Sequence, residues 1–169
     1  MKNLIPKEKK LIEEIEEIRH IIYGYKEENL EYQKDVRPNK LAIEKDELIR
    51  NFIISHHLLT EEFLNTELLK YFINYKARSR HYRFFEEFIL QRLTYKEKLE
   101  LAYRINLISK GAYKFMGELN SLRNTCAHKW FLKDKKIKLS YKGKDLLKIK
   151  NFEEFAEDIF TLHEGLWNL

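Results

Sequence analysis

The sequence has little of what several fold classes require. Its 169 residues include one cysteine, two prolines and five glycines. A lone cysteine, Cys126, excludes an internal disulfide and a multi-cysteine zinc site, and we expect it in the core of a protein from a reducing compartment. So few prolines and glycines exclude a turn-rich sandwich or barrel, while abundant lysine, glutamate, leucine and isoleucine favour helices. The composition therefore predicts an all-α fold.

Long apolar stretches are also missing. No hydrophobic run approaches the ~20 residues that a membrane-spanning helix needs, and the N-terminal segment soon becomes densely charged. Apolar residues still make up 44% of the chain and aromatic residues 14%, which is enough for a sizeable core. We therefore expect a soluble, cytoplasmic protein with no membrane segment, folded as a single domain over 1–169.

Charge is distributed unevenly along the chain, whose formal net charge is +5. Nine lysines stand against two acids over 129–150, whereas 151–169 has five acids and no lysine or arginine. Eight basic residues stand against four acidic ones over 74–104. The two basic stretches would suit a polyanion such as nucleic acid. The alternative is that they are ordinary solvated surface.

The first half of the chain predicts two long helices. Apolar residues that recur seven apart indicate an amphipathic helix over 7–33, which needs a partner surface. Pro38 breaks the pattern, because it lacks an amide hydrogen and disfavours the α region at the preceding residue. A second helix is expected to start near Asp46 and run to about 77. Its apolar residues occupy several faces, as in a central, heavily buried helix.

The second half predicts shorter elements. Helices are expected over 84–91, over 95–107 behind a Thr94 and Glu97 capping box, and over 111–128. A small β-hairpin is expected within 136–150, and Asn151 with Glu154 predicts the capped start of a last helix. The chain then divides into an N-terminal helical extension, a core bundle, and a hairpin with the C-terminal helix, at 1–45, 46–132 and 133–169.

The residues best suited to chemistry lie at the end of the helix predicted over 111–128. The sequence there reads Leu-Asn-Ser-Leu-Arg-Asn-Thr-Cys-Ala-His and contains Arg123, Asn124 and His128. This segment resembles the R-x4-H motif of the HEPN (higher eukaryotes and prokaryotes nucleotide-binding) family. The segments that begin at Leu93 and at His57 resemble other core helices of that family, and the likeness covers roughly 46–132.

The resemblance implies a HEPN-like antiparallel helical bundle, a homodimer, and cleavage of RNA without a metal or another cofactor. In such cleavage the ribose 2′-hydroxyl attacks phosphorus, which requires proton transfer and positive charge. His128 can exchange protons near neutral pH, Arg123 can hold phosphate oxygens through two donors, and Asn124 can orient either. On an ideal helix Arg123 and His128 lie about 140° apart, so two copies paired about a two-fold axis would complete each cleft.

Other residues are weaker candidates. Glu61 or Glu62 could line the cleft as polar surroundings. His57 and Glu61 could together ligate a metal from one helix face, although a packed or hydrogen-bonded role is favoured. RNA contacts are predicted for four basic residues: Arg80, Arg83, Lys129 and Lys133. Aromatic residues among basic ones could stack on unpaired bases or could belong to the core: Tyr75, His81, Tyr82, Phe84 and Phe85.

Three functions remain open at this point. The first is a HEPN-type endoribonuclease, acting as a toxin or defence effector, with an antitoxin or another protein bound through the N-terminal helix. The second is a catalytically silent HEPN module that binds a partner or nucleic acid. The third is a transcriptional regulator, for which no clear helix-turn-helix pattern exists. A purely structural role for the motif would have Arg123 in a salt bridge and His128 at the negative end of the helix dipole.

Overall fold

A computed structural model describes residues 6–24, 38–73, 80–128 and 139–167. This part of the chain is almost entirely helical, so the prediction of an all-α fold is confirmed. None of its helices combines the length and apolarity that crossing a membrane requires. The elements in chain order are α1 (Pro6–Tyr23), α2 (Pro38–Ile73), α3 (Arg80–Phe88), a 3-10 turn (Leu90–Arg92), α4 (Tyr95–Arg104), α5 (Lys110–His128), β1 (Ser140–Tyr141), β2 (Lys144–Asp145) and α6 (Ile149–Trp167).

The first two helices differ from their predicted bounds. α1 ends at Tyr23, where Gly24 has a φ of 71° and its amide closes the last turn with a 2.9 Å hydrogen bond. Glycine reaches this left-handed conformation without steric strain, and it commonly ends helices in this way. The remainder of the predicted helix, 25–33, lies outside the described residues. α2 begins at Pro38, well before Asp46, because proline breaks a helix interior but suits the first helical position.

The middle helices follow the predictions more closely. The Thr94 hydroxyl accepts from the Glu97 amide, and the Glu97 carboxylate accepts from the Thr94 amide. This confirms the capping box at the start of α4. α4 then ends at Arg104 rather than 107, and Asn106 lies in the left-handed region with a φ of 60°. α3 starts before the predicted Phe84, whereas α5 agrees with its prediction to within one residue.

The predicted β-hairpin is confirmed before the C-terminal helix. β1 and β2 pair antiparallel, with Tyr141 opposite Lys144. The two turn residues, Lys142 and Gly143, have φ values of 49° and 75°. Positive φ at both positions identifies the type I′ turn, whose twist matches that of two short strands.

The start of α6 was predicted wrongly. α6 begins at Ile149, so Asn151 lies inside the helix and does not cap it. The Asn151 side-chain amide donates instead to the carbonyl oxygen of Asp145 at 2.7 Å, and Glu154 forms an ion pair with Lys144. Both side chains are therefore used to fasten the hairpin to α6, because the strands turn back directly onto the first turns of that helix.

α2 is the spine of the fold, with 36 residues and a length of roughly 54 Å at 1.5 Å per residue. It runs antiparallel to α5, since Arg50 on α2 acts electrostatically on Cys126 while His57, further along, bonds to Asn120. Three α2 residues predicted in the core are exposed instead: Leu58, Leu59 and Phe72. Although α2 is the central helix, part of its surface is thus exposed to solvent.

Two hydrophobic clusters are stacked along α2 and α5. The first joins α1, the start of α2, the end of α5, the hairpin and α6, and the second joins the end of α2 to α4 and the start of α5. Cys126 is buried in the first cluster, as predicted. The apolar stripe predicted on α6 is confirmed by its buried members: Phe152, Phe155, Ile159 and Leu166.

Candidate functional site

A polar layer separates the two hydrophobic clusters where α2, α4 and α5 meet. It consists of six residues, of which three are among the few buried polar side chains of the described structure. His57 Nε2 lies 3.1 Å from Asn120 Oδ1, and Thr60 Oγ1 lies 2.9 Å from the Tyr95 hydroxyl. The six residues are His57, Thr60, Glu61, Tyr95, Lys98 and Asn120.

Burial favours the neutral form of His57 in this layer. Burial lowers its pKa, the hydrogen bond to Asn120 opposes that effect, and the charge of Arg123 lowers the pKa further. Because Asn120 Oδ1 can only accept, His57 carries its proton on Nε2, and its buried Nδ1 has no hydrogen-bond partner among the described residues. The His57 ring also lies against Tyr95, with centroids 4.2 Å apart. His57 is therefore packed and hydrogen-bonded, as the sequence favoured.

The same polar layer contains an ion pair between α2 and α4. Lys98 Nζ donates to Glu61 Oε1 at 2.9 Å, and the Lys98 side chain is only 6% exposed. Burying an ammonium group is unfavourable unless an acid compensates it. Glu61 thus ties α2 to α4, while His57, one turn earlier, ties α2 to α5. These two contacts engage the side chains of His57 and Glu61, which therefore do not form the metal site considered from the sequence.

The candidate site begins one turn after Asn120, on the last part of α5. Arg123 is half-buried and its Nη1 donates to Asn124 Oδ1 at 3.1 Å. Among the described residues Arg123 forms no ion pair with an acid. Because α5 continues without a break to His128, the three residues of the motif are held on one rigid helix whose register against α2 is set by the polar layer.

The other predicted site residues are more scattered. Glu62 is exposed and makes no hydrogen bond or ion pair within the described residues, whereas its neighbour Glu61 acts electrostatically on His57. Arg83 is exposed on α3. The side chains of Arg80 and His128 fall outside the described part of the structure. Lys129 and Lys133 lie outside it altogether.

A second histidine contact links α2 to α6 and was not predicted. His56 Nδ1 lies 3.0 Å from His163 Nε2, beside the rings of Phe52 and Phe160. Burial, followed by the charge of His163, lowers the pKa of His56 to about 4, and burial also lowers the pKa of His163. Two imidazoles at this distance share one proton and resist a second one.

This pair makes stability depend on pH. The folded pKa values lie below the unfolded value of about 6.5, so the stabilisation is complete above pH 6.5 and is lost as pH falls toward 4. We expect the free energy of unfolding in urea to fall by about 1 kcal/mol between pH 7 and pH 5, a figure reduced for partial exposure. This fall should be smaller in His163→Gln than in the wild type. His20→Gln changes an exposed histidine, and as the control it should show the same fall as the wild type. Equal pH dependence in both variants would contradict this assignment.

The chain matches no protein-family model, no curated protein and no solved structure. Its function must therefore be inferred from its own side chains. Among the described residues, no group of three or more His, Cys, Asp or Glu side chains could hold a metal ion. The end of α5 has a cation, an amide and a histidine on one continuous helix.

Proposed function

We propose that this protein is a HEPN-type endoribonuclease that cleaves RNA without a metal ion, using Arg123 and His128. The resemblance of the α5 segment to the R-x4-H motif suggests the family, and the all-α fold is compatible with it. Asn124 would orient the Arg123 guanidinium, to which it is hydrogen-bonded.

The proposal rests on one observation, which is that the Arg123 guanidinium has no acidic partner among the described residues. An arginine that serves only as a structural salt bridge would be neutralised by an acid, but no described acid pairs with Arg123. Its Nη1 bonds to a neutral amide, which leaves the positive charge of the guanidinium uncompensated. Such a group can bind the non-bridging oxygens of a phosphate through two parallel donors. Partial burial strengthens that attraction, because solvent screens it less.

The chemistry requires two proton transfers. A base removes the proton of the 2′-hydroxyl, whose oxygen then bonds to phosphorus, and an acid protonates the 5′-oxygen as its bond to phosphorus breaks. The products are a 2′,3′-cyclic phosphate and a 5′-hydroxyl. One chain has a single His128, so we place the site between two copies related by a two-fold axis, where one His128 is the base and the other the acid.

The test is cleavage of chemically defined strands in the presence of a chelator. We expect RNA to be cut to products with a cyclic phosphate end, and DNA and 2′-O-methyl RNA of the same sequence to stay intact, because both lack the attacking hydroxyl. A single 2′-deoxy substitution should block cleavage at that position alone. The measurement is mass spectrometry of the product ends.

A double variant, Arg123→Ala with His128→Ala, purified in the same way, controls for contaminating nucleases. Cleavage of DNA or of 2′-O-methyl RNA, or equal cleavage by the double variant, would contradict the proposal. RNA binding without turnover would instead favour the catalytically silent module.

A further inference from the structure

Four aromatic side chains are exposed together where the end of α2 meets α3. Their exposed fractions are 54% for Tyr71, 44% for Phe72, 57% for Phe84 and 49% for Phe88. We call this set the aromatic surface. The rings form two neighbouring pairs, Tyr71 with Phe72 and Phe84 with Phe88. Clustered exposed apolar side chains, unlike singly scattered ones, mark interaction sites.

The fold holds these rings in place. Phe84 and Phe88 stack with centroids 5.1 Å apart and an interplanar angle of 23°. Phe85, on the same helix, packs against Phe72 at 5.3 Å and against the second hydrophobic cluster. α3 is thus anchored through one face, and the stacked pair on its other face remains open to solvent.

The sequence that contains the aromatic surface has more basic than acidic residues. Over 67–92 it has six lysine and arginine residues and three glutamates. Arg83, beside Phe84 in sequence, is exposed, and the guanidinium of Arg92 lies 5.8 Å from the centre of the Phe88 ring. Two acids of α3 oppose this charge, the half-buried Glu86 and the exposed Glu87. Flat rings among cations complement a ligand that has both aromatic faces and negative charge.

We propose that the aromatic surface binds single-stranded nucleic acid, with unpaired bases stacked on Phe84 and Phe88 and with Arg83 and Arg92 facing phosphates. Base stacking on aromatic side chains beside a basic track is the general mode of sequence-tolerant single-strand binding. A second copy of the chain fits less well, because it offers Arg83 and Arg92 no polyanion. The proposal goes beyond cleavage at Arg123, since stacking needs no 2′-hydroxyl.

Fluorescence anisotropy with a labelled oligothymidylate of about 15 nucleotides tests whether the aromatic surface binds a single strand. Because this DNA lacks the 2′-hydroxyl, its binding is independent of cleavage, and either proposal can fail without the other. We expect Phe84→Ala and Phe88→Ala each to weaken binding about tenfold. Tyr23→Ala, which removes an equally exposed aromatic ring on α1, should bind as the wild type does, and a duplex should bind more weakly than the single strand.

The charges provide a second, independent readout. Arg83→Gln should lower the slope of log affinity against log salt by about 0.7, the value for one phosphate contact on a single strand. Glu87→Gln should tighten binding, whereas Lys9→Gln, an exposed cation on α1, should leave both slope and affinity unchanged. Each result that follows this pattern supports the proposal.

Three outcomes would overturn it. The first is oligothymidylate binding that Phe84→Ala and Phe88→Ala leave unchanged. The second is binding to vesicles of phosphatidylcholine and phosphatidylglycerol that these variants abolish while the oligonucleotide does not bind, which would assign the surface to a membrane. The third is self-association in light scattering that the same variants abolish, again without oligonucleotide binding, which would assign it to a second copy.

Discussion

Replacing His128 with alanine is expected to lower kcat/KM for RNA cleavage by about 10²–10⁴-fold, the usual effect of removing an acid–base residue. Arg123→Ala is expected to lower it by about 10²–10³-fold, because a positioned donor to the developing phosphorane charge is lost. Arg123→Lys should recover only part of this loss, since an ammonium group keeps the charge but not the two parallel donors. Initial rates on a labelled RNA in chelator measure all three.

Arg104→Ala is the matched control. Arg104 is an exposed arginine on α4, 74% exposed and paired with Glu100, and exposed ion pairs contribute little to stability. We expect it to cleave RNA at the wild-type rate. A rate loss in Arg104→Ala equal to that in Arg123→Ala would mean that general positive charge, and not the motif, supports cleavage.

His128→Ala also reports on the dimer. Mixed in excess with the wild type and allowed to exchange subunits, it would form heterodimers that contain a single His128. Such heterodimers should be inactive, because the proposed reaction uses one His128 as the base and the other as the acid, so cleavage per wild-type chain should fall as the variant is added. Unchanged cleavage per wild-type chain, together with a strictly monomeric mass in light scattering, would contradict the shared site.

Local signals in the sequence predicted most of the fold. The Thr94 and Glu97 capping box and the Lys142 and Gly143 turn were confirmed because each depends on contacts within a few residues. Asn151 failed because the same side chain had a competing partner, the carbonyl of Asp145, that the hairpin brings close. Pro38 begins α2, although the sequence predicts a break there. Proline is compatible with both roles, and the sequence nearby did not decide between them.

The site was only partly predictable. The sequence places Arg123 and Asn124 on one helix, but adjacent side chains on a helix diverge by about 100°, so the bond between them does not follow from α5 alone. The polar layer that holds α5 against α2 joins residues far apart, as in the bonds from His57 to Asn120 and from Lys98 to Glu61. Periodicity shows which face of a helix is apolar, but it does not identify the partner of a polar residue on that face. The burial of Lys98 could not be foreseen for this reason.

That layer provides the last prediction, which concerns stability. Glu61→Gln is expected to lower the free energy of unfolding by about 2 kcal/mol, because it leaves the ammonium group of Lys98, which is 6% exposed, without a compensating charge. Breaking a fully buried pair costs about 3–5 kcal/mol, and we expect less here because Glu61 is 31% exposed. Urea denaturation at neutral pH measures the difference.

Glu62→Gln is the control, since it removes the same charge from the next residue of α2, where the side chain is exposed. We expect its effect to stay within about 0.5 kcal/mol. Adding Lys98→Met to Glu61→Gln should recover part of the lost stability, because it removes the uncompensated charge and fills the same space. If the two glutamine variants were equally stable, the Lys98–Glu61 pair could not be what holds α4 on α2 beside the candidate site.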